Sequence, residues 1–578
     1  MAHAGWANTD LDAYRQLTDP EVDQLVAALL PQQGSESIGR LGYNAMLMLA
    51  DKLLETPELA MVDDSRLTRQ LQGMPEALLD YFDPMPAPDW VDAEKLKLGA
   101  RLWQDNTLVM LVTLYAASLP ACYLMKNGIP ALYRTEKLRD QQFIFQRIYE
   151  TGLMLSETMD KDGIKIIPDA DISDNVLYLQ ALQNLDADGQ WQCQEQCLCR
   201  TAKPPPPDID ARRIEQEIQR LRGKTRCYIW GKGYLAAKKV RFLHASMRFM
   251  LTNPASCPPC GNKQNPQSLF EVMSHRDSPW DYQRHGAPIN QEDLAYTLLT
   301  FGLLLPRGLQ HWGVPISQEQ QQAFLHLWRL IGHIMGVHED LLTDDWQEAE
   351  ALFATIQQRQ AGQSEEGMIL TDALMDFLAD YLPDAPSVAH RLSAALIISQ
   401  LGPKHAAFLL DDDLLRETTS FWRRPIYALG GALFKSYLFL REKTIRRLRH
   451  LGRITMQRLH EASELLIESW RDAYSRKPFF VPVNATTWIR KRGVNEQFLE
   501  KLQQWRRSLF MAFAIAIGFL LLTVFSLAGT LPAMLLWGWP GMQTALLLAV
   551  SAWLAAMAIM HFRLPGIFQQ RPEIKPKN

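Results

Sequence analysis

The sequence predicts a mainly α-helical protein that ends in a pair of membrane-spanning helices. Apolar residues recur at helical spacing along most of the first 500 residues, and that stretch has no sustained apolar–polar alternation of the kind that marks a half-buried strand. Residues 508–528 and 541–560 are uncharged runs of 21 and 20 residues. Each run is long enough to cross the hydrocarbon core of a bilayer as a helix.

Length, charge and cysteine content limit the classes of protein that fit. At 578 residues the chain is long enough for several domain-sized cores. Its net charge of −4 gives no strong attraction to a polyanion, so we expect no nucleic-acid partner. The N-terminal residues have neither the basic nor the apolar region of a signal peptide, so we expect no cleaved leader. Seven cysteines in so long a chain favour a reducing compartment over a disulfide framework.

Residues 1–130 are predicted to form an N-terminal helical region with breaks rich in proline and aspartate. Within this region, residues 107–125 carry no charge, and their number approaches the length of a membrane span. Pro120 and the many small residues beside it favour a buried core helix instead. We therefore predict that this segment lies in a protein core.

Residues 131–400 are predicted to form the main helical domain. An early amphipathic helix, residues 141–158, places Arg147 and Thr151 four residues apart at the edge of its apolar face. The alternative for Arg147 is a solvated charge at that edge. From about residue 160 to 233 the helical period is lost, which predicts an insertion in the domain.

Five cysteines lie in or just beyond this insertion. Four or five thiolates could meet around one structural Zn²⁺, although the spacing of the first three is not that of a zinc finger. Unpaired surface cysteines on an inserted loop are the alternative. In either case we expect none of these thiolates to be a ligand of a haem iron. The five are Cys193, Cys197, Cys199, Cys257 and Cys260.

The helix after the insertion carries one histidine inside an apolar stripe. His244 lies among apolar residues that recur at helical spacing, and these are Val240, Leu243, Met247 and Leu251. Such a face suits the proximal side of a haem, where a histidine nitrogen binds iron and hydrocarbon covers the ring. Arg241 and Arg248, one turn before and one turn after His244, could pair with the propionates. A core histidine whose nitrogens are satisfied by neighbouring groups is the alternative.

The rest of the soluble part is also predicted to be helical. Asn290 has the character of an N-cap, with Asp293 as an acidic residue in the first turn. Residues 317–357 show two further helical patterns. Residues 401–505 are predicted to form basic, membrane-proximal helices, because arginines and lysines alternate with leucine and isoleucine after Lys435. A basic amphipathic helix suits an anionic membrane surface.

The two uncharged runs are predicted to form a transmembrane hairpin over residues 506–562. The connection between them contains residues typical of turns, Gly529, Pro532 and Pro540, and aromatic residues typical of a membrane interface, Trp537 and Trp539. Basic residues precede the first run and follow the second, whereas the connection has none. The positive-inside rule then puts both ends in the cytoplasm, including the tail 563–578. We therefore expect a large cytoplasmic domain on a two-pass anchor in the cell (inner) membrane, with membrane lipids as partners.

Several segments of the chain together resemble the family of the MpaB oxygenase and latex clearing protein, the rubber oxygenases. They occur in the family's order and span about residues 130–345. The first runs from Arg147 to Thr151 and the second from Arg241 to Arg248. The other two run from Pro288 to Leu294 and from Ile331 to Leu342.

The resemblance implies an all-α domain with a globin-like core, extra helices and one b-type haem. His244 then matches the proximal iron ligand, and Arg241 and Arg248 match the arginines that flank it. Arg147 and Thr151 match the family's distal pair. The implied activity is oxidative cleavage of an isoprenoid C=C bond with O₂. One departure is Glu150, which stands where a latex clearing protein can carry a lysine; the long insertion and the membrane hairpin are others.

Three functions fit these observations. The first is a membrane-anchored haem oxygenase acting with O₂ on a lipophilic, isoprenoid-like small molecule. The second is a non-catalytic haem-binding or sensor protein on the same scaffold. The third is a membrane-tethered helical interaction protein in which His244 belongs to the core and the cysteines hold zinc. A haem absorption band separates the third function from the others, and oxygen consumption separates the first from the second.

Overall fold

The computed structural model is mainly helical, as the sequence predicts. It describes residues 8–29, 77, 81–82, 84–135, 151–152, 154–160, 163–168, 212, 216, 227–252, 280–379, 386–420, 435, 474–476, 488–490 and 496–569. The predictions at Arg147, at the five cysteines and along nearly all of the basic stretch after Lys435 lie outside these residues.

The helices of the described part follow one another along the chain with few intervening strands. They are α1 (Asn8–Gln16), α2 (Pro20–Leu29), α3 (Ala93–Thr113), α4 (Leu119–Tyr123), α5 (Ile129–Thr135), α6 (Lys232–Thr252), α7 (Tyr282–His285), α8 (Gln291–Gly302), α9 (Leu304–His311), α10 (Gln318–Ile334), α11 (Trp346–Gln360), α12 (Glu365–Ala379), α13 (Pro386–Ala406), α14 (Asp412–Thr419), α15 (Glu496–Ala528), α16 (Thr530–Ala558) and α17 (Leu564–Gln569). Residues 151–152 and 154–159 are also helical and are called the Thr151 segment.

The main core is built around α3, α8 and α10. Helix α10 packs against α3 and α8, and α8 also contacts α1, α9 and α11. Trp103 and Trp328 are almost completely buried, and Phe301 stacks on Trp328 with ring centroids 4.8 Å apart. The same core includes Leu11 and Val22 from the first two helices. The N-terminal helices therefore share one core with the residues after the insertion.

The uncharged segment 107–125 is a bent core element, which confirms the prediction of a buried helix. Helix α3 leaves helical geometry at Asn106, where φ is −132° and ψ is 19°, and the Asn106 amide donates to Leu102 O at 3.1 Å. A π-helical turn, Leu114–Ser118, leads into α4. Met110 is completely buried, and Leu119 is nearly so.

A small antiparallel sheet borders the insertion, and the sequence analysis did not predict it. Its strands are β1 (Met85–Pro86), β2 (Lys165–Pro168) and β3 (Cys227–Trp230), in the order β1-β3-β2. Lys165 pairs with Trp230, and Pro168 pairs with Cys227. Strands of two to four residues are too short to show a period of two. A second small sheet joins β4 (Tyr474–Arg476) and β5 (Trp488–Arg490).

Helix starts in the core follow the local signals in the sequence. Asn290 is the N-cap of α8, and its side chain accepts a hydrogen bond from the Asp293 N–H at 2.9 Å. This contact confirms the predicted cap. Ser317 and Gln320 form a reciprocal capping box at the start of α10. Helices α10 and α11 correspond to the two patterns predicted within residues 317–357.

The last three helices form an extended C-terminal unit. Helices α15 and α16 pack on each other, and Trp505 Nε1 donates to Ile567 O at 2.7 Å. The start of α15 therefore lies beside α17. Helix α16 begins directly after Gly529, where the sequence analysis predicted a longer turn, and it breaks at Gly538, whose φ is +65°. Of the described helices, α16 is the one that is long and apolar enough to cross a membrane unbroken; Ala514–Ala528 is a shorter apolar helical stretch.

Candidate functional site

Helix α6 is the element on which the site is built. It continues from β3, and it packs against α2, α5 and α10. Tyr81 covers another part of it: its ring lies 5.7 Å from that of Phe242, and its hydroxyl donates to Lys238 O at 2.8 Å. The Lys238 ammonium lies over the Tyr81 ring, 4.1 Å from the centroid. Burial raises the pKa of Tyr81 well above its usual range, so the phenol stays neutral.

The face of α6 that carries His244 is less completely covered. His244 is partly buried, and so are the stripe residues Val240, Leu243 and Met247, whereas Ala245 and Ser246 on other faces have no exposed surface. The four partly buried residues follow one another around the helix at intervals of three or four positions, so they share one side of it. The structure thus presents an apolar surface with one imidazole in it, as the sequence predicted for this stripe.

The Thr151 segment meets α6 on the same face. Gly233 and His244 are eleven residues apart, which is close to three full turns, so both lie on one side of α6. A Cβ atom on Gly233 would lie 2.6 Å from Thr158 Cα, and Gly233 N donates to Gly163 O at 2.7 Å. The absence of a side chain at residue 233 is what allows this contact.

Thr151 and His244 lie on the two helical pieces that meet at Gly233. At 1.5 Å per residue, Thr151 lies roughly 10 Å along its helix from Thr158, and His244 roughly 16 Å along α6 from Gly233. Thr151 is partly buried. The contact at Gly233 therefore joins the end of one helical piece to the start of the other.

Arg241 and Arg248 lie at the other edge of this face and contact helix α2. Arg241 donates from Nε and Nη2 to the two carboxylate oxygens of Asp19 at 2.7 and 2.9 Å, and Nη2 also reaches Glu21 at 2.7 Å. Burial alone would lower the pKa of Arg241. The hydrogen bond and charge of Asp19 outweigh it, and the pKa is raised, so the guanidinium stays charged.

Arg248 uses fewer of its donors. Its Nε donates to Asp23 at 2.8 Å, and its Nη1 makes a longer contact of 3.3 Å with Ile289 O. Its Nη2 is buried and has no hydrogen-bond partner in the described structure. A buried donor without an acceptor is costly, so this atom marks a place suited to an anionic oxygen. Arg248 and the half-covered stripe are the two features that fit an anionic, planar, largely apolar cofactor.

Three other histidines of the described residues have partners of their own. His333 pairs with Glu339, and His338 is exposed and lies near Asp340. His326 is fully buried; its Nε2 accepts from Asp92 N at 3.0 Å. The described residues contain no cluster of three or more His, Cys, Asp or Glu side chains that could hold a metal ion. The zinc hypothesis concerns cysteines outside them.

The sequence analysis missed the acidic partners of the two arginines. Asp19 and Asp23 precede them by more than 200 residues, so no local pattern links the pairs. Gly233 was also missed, because a lone glycine at the start of a helix does not reveal which backbone approaches it. The signal that could have found the pairs is the spacing of Asp19 and Asp23, which places two carboxylates one turn apart at the start of a helix.

Part of the chain is similar in sequence to known oxygenases. Residues 225–430 match the family model described as "ER-bound oxygenase mpaB/B'/Rubber oxygenase, catalytic domain". A rubber oxygenase of Streptomyces sp. (strain K30) is 25% identical over 152 residues, which cover 26% of this chain and 32% of the relative. The chain thus aligns with about a third of that relative's length.

A solved structure of latex clearing protein in the closed state aligns with 72% of this chain and 84% of its own, at 17% identity and a TM-score of 0.39. Helix α6 with His244, Arg241 and Arg248 lies inside the segment that matches the family model, whereas Arg147, Thr151 and the acidic residues of α2 precede it. Residues 225–430 of this chain are thus similar to the MpaB and rubber oxygenase catalytic domains.

Proposed function

We propose that the protein is a membrane-anchored, haem b-dependent oxygenase that oxidises, and in the simplest case cleaves, a C=C bond of a lipophilic, isoprenoid-like substrate with O₂. The observation that carries this proposal is the half-covered apolar face of α6, with His244 in it, inside a segment of an oxygenase catalytic-domain family.

Five residues of α6 would hold and orient the cofactor. An imidazole nitrogen of His244 would be the proximal iron ligand, and Leu243 and Met247 would cover the ring with hydrocarbon. Arg248 would donate its unused Nη2–H to a propionate, where the pairing would also satisfy a buried donor. Arg241 adds positive charge on the same side of the helix. When bound, haem supplies the activation of O₂ that side chains alone cannot provide.

Thr151 and Arg147 would act on the distal side. The Thr151 hydroxyl and the Arg147 guanidinium are donors, so they would orient oxygen atoms by hydrogen bonds and stabilise negative charge that develops there. Their surroundings would be apolar, which excludes water and makes each such hydrogen bond stronger than in bulk solvent. A long apolar substrate fits a surface of this kind.

The C-terminal helices would anchor the protein in the cell membrane as a two-pass hairpin. Among the described residues, 17 of the 21 large apolar side chains that are exposed lie between Met511 and Phe562. Trp537 and Trp539 are exposed at the break in α16, where interfacial aromatic residues would lie. An exposed apolar surface of this size would be unfavourable in water, so membrane lipids would cover it. The main domain would face the cytoplasm and take its substrate from the bilayer.

An absorption spectrum of the full-length protein, purified in detergent, tests the proposal. We expect a Soret band, one b-type haem per chain by pyridine haemochrome, and consumption of O₂ with a polyprenyl substrate. If the CO-bound ferrous form shows a P450-like Soret band, the iron ligand is a cysteine and not His244. Haem without oxygen consumption across polyprenyl and other apolar substrates would favour a sensor. Protein with zinc and without haem would favour an interaction protein.

A further inference from the structure

Two ion pairs connect the start of α2 to α6 on either side of His244; the first is buried, whereas the Asp23 side chain of the second is 27% exposed. Asp19 pairs with Arg241 at 2.7 Å, and the side chains are 5% and 8% exposed. Asp23 pairs with Arg248 at 2.8 Å. Arg241 precedes His244 by three residues and Arg248 follows it by four, so the pairs bracket the histidine by one turn each way. We call Asp19, Asp23, Arg241 and Arg248 the acidic clamp.

Apolar side chains pack beside the ion pairs of the acidic clamp. Val22 and Val26 of α2 are completely buried, so an apolar contact lies beside the two ion pairs. Asp19 and Asp23 are separated by one helical turn and the arginines by two, and each carboxylate pairs with a different guanidinium. The clamp therefore ties the start of α2 to two separate turns of α6.

The loop after α10 covers the first pair of the clamp. Gly336 has a φ of +77° and packs against both Asp19 and Arg241, so any side chain there would displace them. Gln291 ties this loop to the segment before α2: its Nε2 donates to Thr18 O at 2.7 Å and to Gly336 O at 3.0 Å. The loop, the start of α8 and the start of α2 thus converge on the Asp19–Arg241 pair.

We infer that Asp19 and Asp23 are positioning residues for the iron ligand, acting through Arg241 and Arg248. This inference rests on the proposed function, and it assigns a role to a segment that precedes the one matched by the oxygenase family model. The clamp would hold the imidazole of His244 in one orientation. It would also supply negative charge that neutralises two cations lying within a turn of the iron ligand.

The second effect gives the inference its specific readout. Ferric haem carries one more positive charge than ferrous haem, so an unneutralised cation nearby favours the ferrous form and raises the reduction potential. Asp19→Asn removes the buried carboxylate from Arg241 and leaves it with the exposed Glu21 alone, and Asp23→Asn removes the carboxylate that pairs with Arg248. We expect both variants to bind haem with a more positive potential than the wild type.

The matched control is Asp12→Asn, in the same N-terminal segment. Asp12 pairs with Arg359 of α11 and its side chain is 68% exposed, so it lies outside the clamp. Its loss should leave the potential unchanged. Asp19→Glu keeps the charge and should retain the wild-type potential. The double variant Asp19→Asn/Arg241→Gln removes both charges and should return the potential toward the wild-type value, as a coupled pair requires.

A second measurement needs no cofactor. Hydrogen exchange of the amides of residues 240–248, measured on haem-free full-length protein, should be faster in Asp19→Asn and Asp23→Asn than in the wild type. Asp12→Asn should match the wild type. If exchange at these amides is the same in all variants, the clamp does not hold α6 and the inference fails.

The haem measurements and the hydrogen-exchange measurement distinguish failure of the proposed oxygenase function from failure of the positioning role. If the wild type binds no haem, the proposed oxygenase function falls, and the exchange data alone decide whether the clamp positions α6. If haem is bound and the potential of both neutralised variants equals that of the wild type, the electrostatic role of the clamp is overturned. A shift that Asp19→Glu does not rescue would also overturn it, because charge would not be the cause.

Discussion

Gly233 of α6 packs against the backbone of Thr158, and a Cβ atom at residue 233 would lie 2.6 Å from Thr158 Cα. This contact sets the distance between the helix with the proposed iron ligand and the helix with the proposed distal threonine. The two helices approach each other through backbone atoms at this point.

Gly233→Ala should therefore disturb both stability and the site. Backbone atoms would have to move to accept the methyl group, and overpacking of this kind costs about 1–3 kcal/mol. We expect a lower free energy of unfolding and weaker haem retention. The control is Gly518→Ala, where no atom lies within 4 Å of the added Cβ. Chemical denaturation and haem titration measure the two effects; equal results for both variants would contradict the prediction.

The ligand assignment predicts two classes of variant. His244→Ala removes the proposed protein bond to iron, so haem should be largely lost. Thr151→Ala and Arg147→Gln leave that bond intact, so haem should stay while turnover falls by about 10²–10³, by analogy with the loss of one oxyanion-stabilising donor. Haem content and oxygen consumption are the measurements. His333→Ala should keep its haem, since His333 already pairs with Glu339. A normal haem complement in His244→Ala would show that the ligand is another residue.

The buried Glu292 should be far more important for stability than an exposed acid. It is fully buried and accepts hydrogen bonds from Arg15 and Arg359 at 3.0 Å each. Glu292→Ala leaves two cations without this partner, and removing one side of a buried ion pair costs about 3–5 kcal/mol. Asp413→Asn breaks an exposed pair with Arg416 and should cost less than about 1 kcal/mol. Urea unfolding compares them, and similar losses would refute the difference in role.

Acid should weaken one specific contact of the core. A hydrogen bond from His326, together with the charge of Arg329, lowers the pKa of Asp344 to about 2. A carboxylate whose pKa is depressed by folding stabilises the protein above its unfolded pKa, near 4, and loses that contribution as the pH falls through about 2. Asp344→Asn should therefore be less stable than the wild type at pH 7. Denaturation at several pH values should show the difference narrowing below about pH 4; a constant difference would exclude this linkage.

Removal of the C-terminal helices tests the anchor. A chain ending after Gln504 lacks the exposed apolar surface between Met511 and Phe562. We expect it in the soluble fraction, whereas the full-length protein should remain with membranes after washing in high salt. Fractionation followed by immunoblotting distinguishes them. If the truncated chain still sediments with membranes in high salt, another part of the protein binds the bilayer.

Local signals predicted local structure well. The Asn290 cap and the core location of residues 107–125 follow from neighbouring residues, and the structure has both. The short strands β2 and β3 were missed, because four residues give no measurable period. The pairing of Asp19 with Arg241 was missed for a different reason: it joins positions 222 residues apart, and its partners meet only when the whole chain has folded.

The candidate site also has one part that a local sequence pattern predicted and one part that it did not. His244 and its stripe were visible as a periodic pattern within one helix. Its relation to Thr151 depends on the contact at Gly233, which a sequence pattern does not encode. In the C-terminal part, the turn predicted from Gly529, Pro532 and Pro540 is largely helical, because α16 starts already at Thr530 and leaves helical geometry only at Gly538. Proline tolerates the first turn of a helix, so Pro532 did not prevent helix formation there.

The pairing of Pro168 with Cys227 has a consequence for how this chain can vary. The ends of the 58-residue segment between them lie opposite each other in one antiparallel ladder, roughly 5 Å apart. A short hairpin turn could span that distance, so a chain with this segment replaced by such a turn should keep the pairing of β2 with β3.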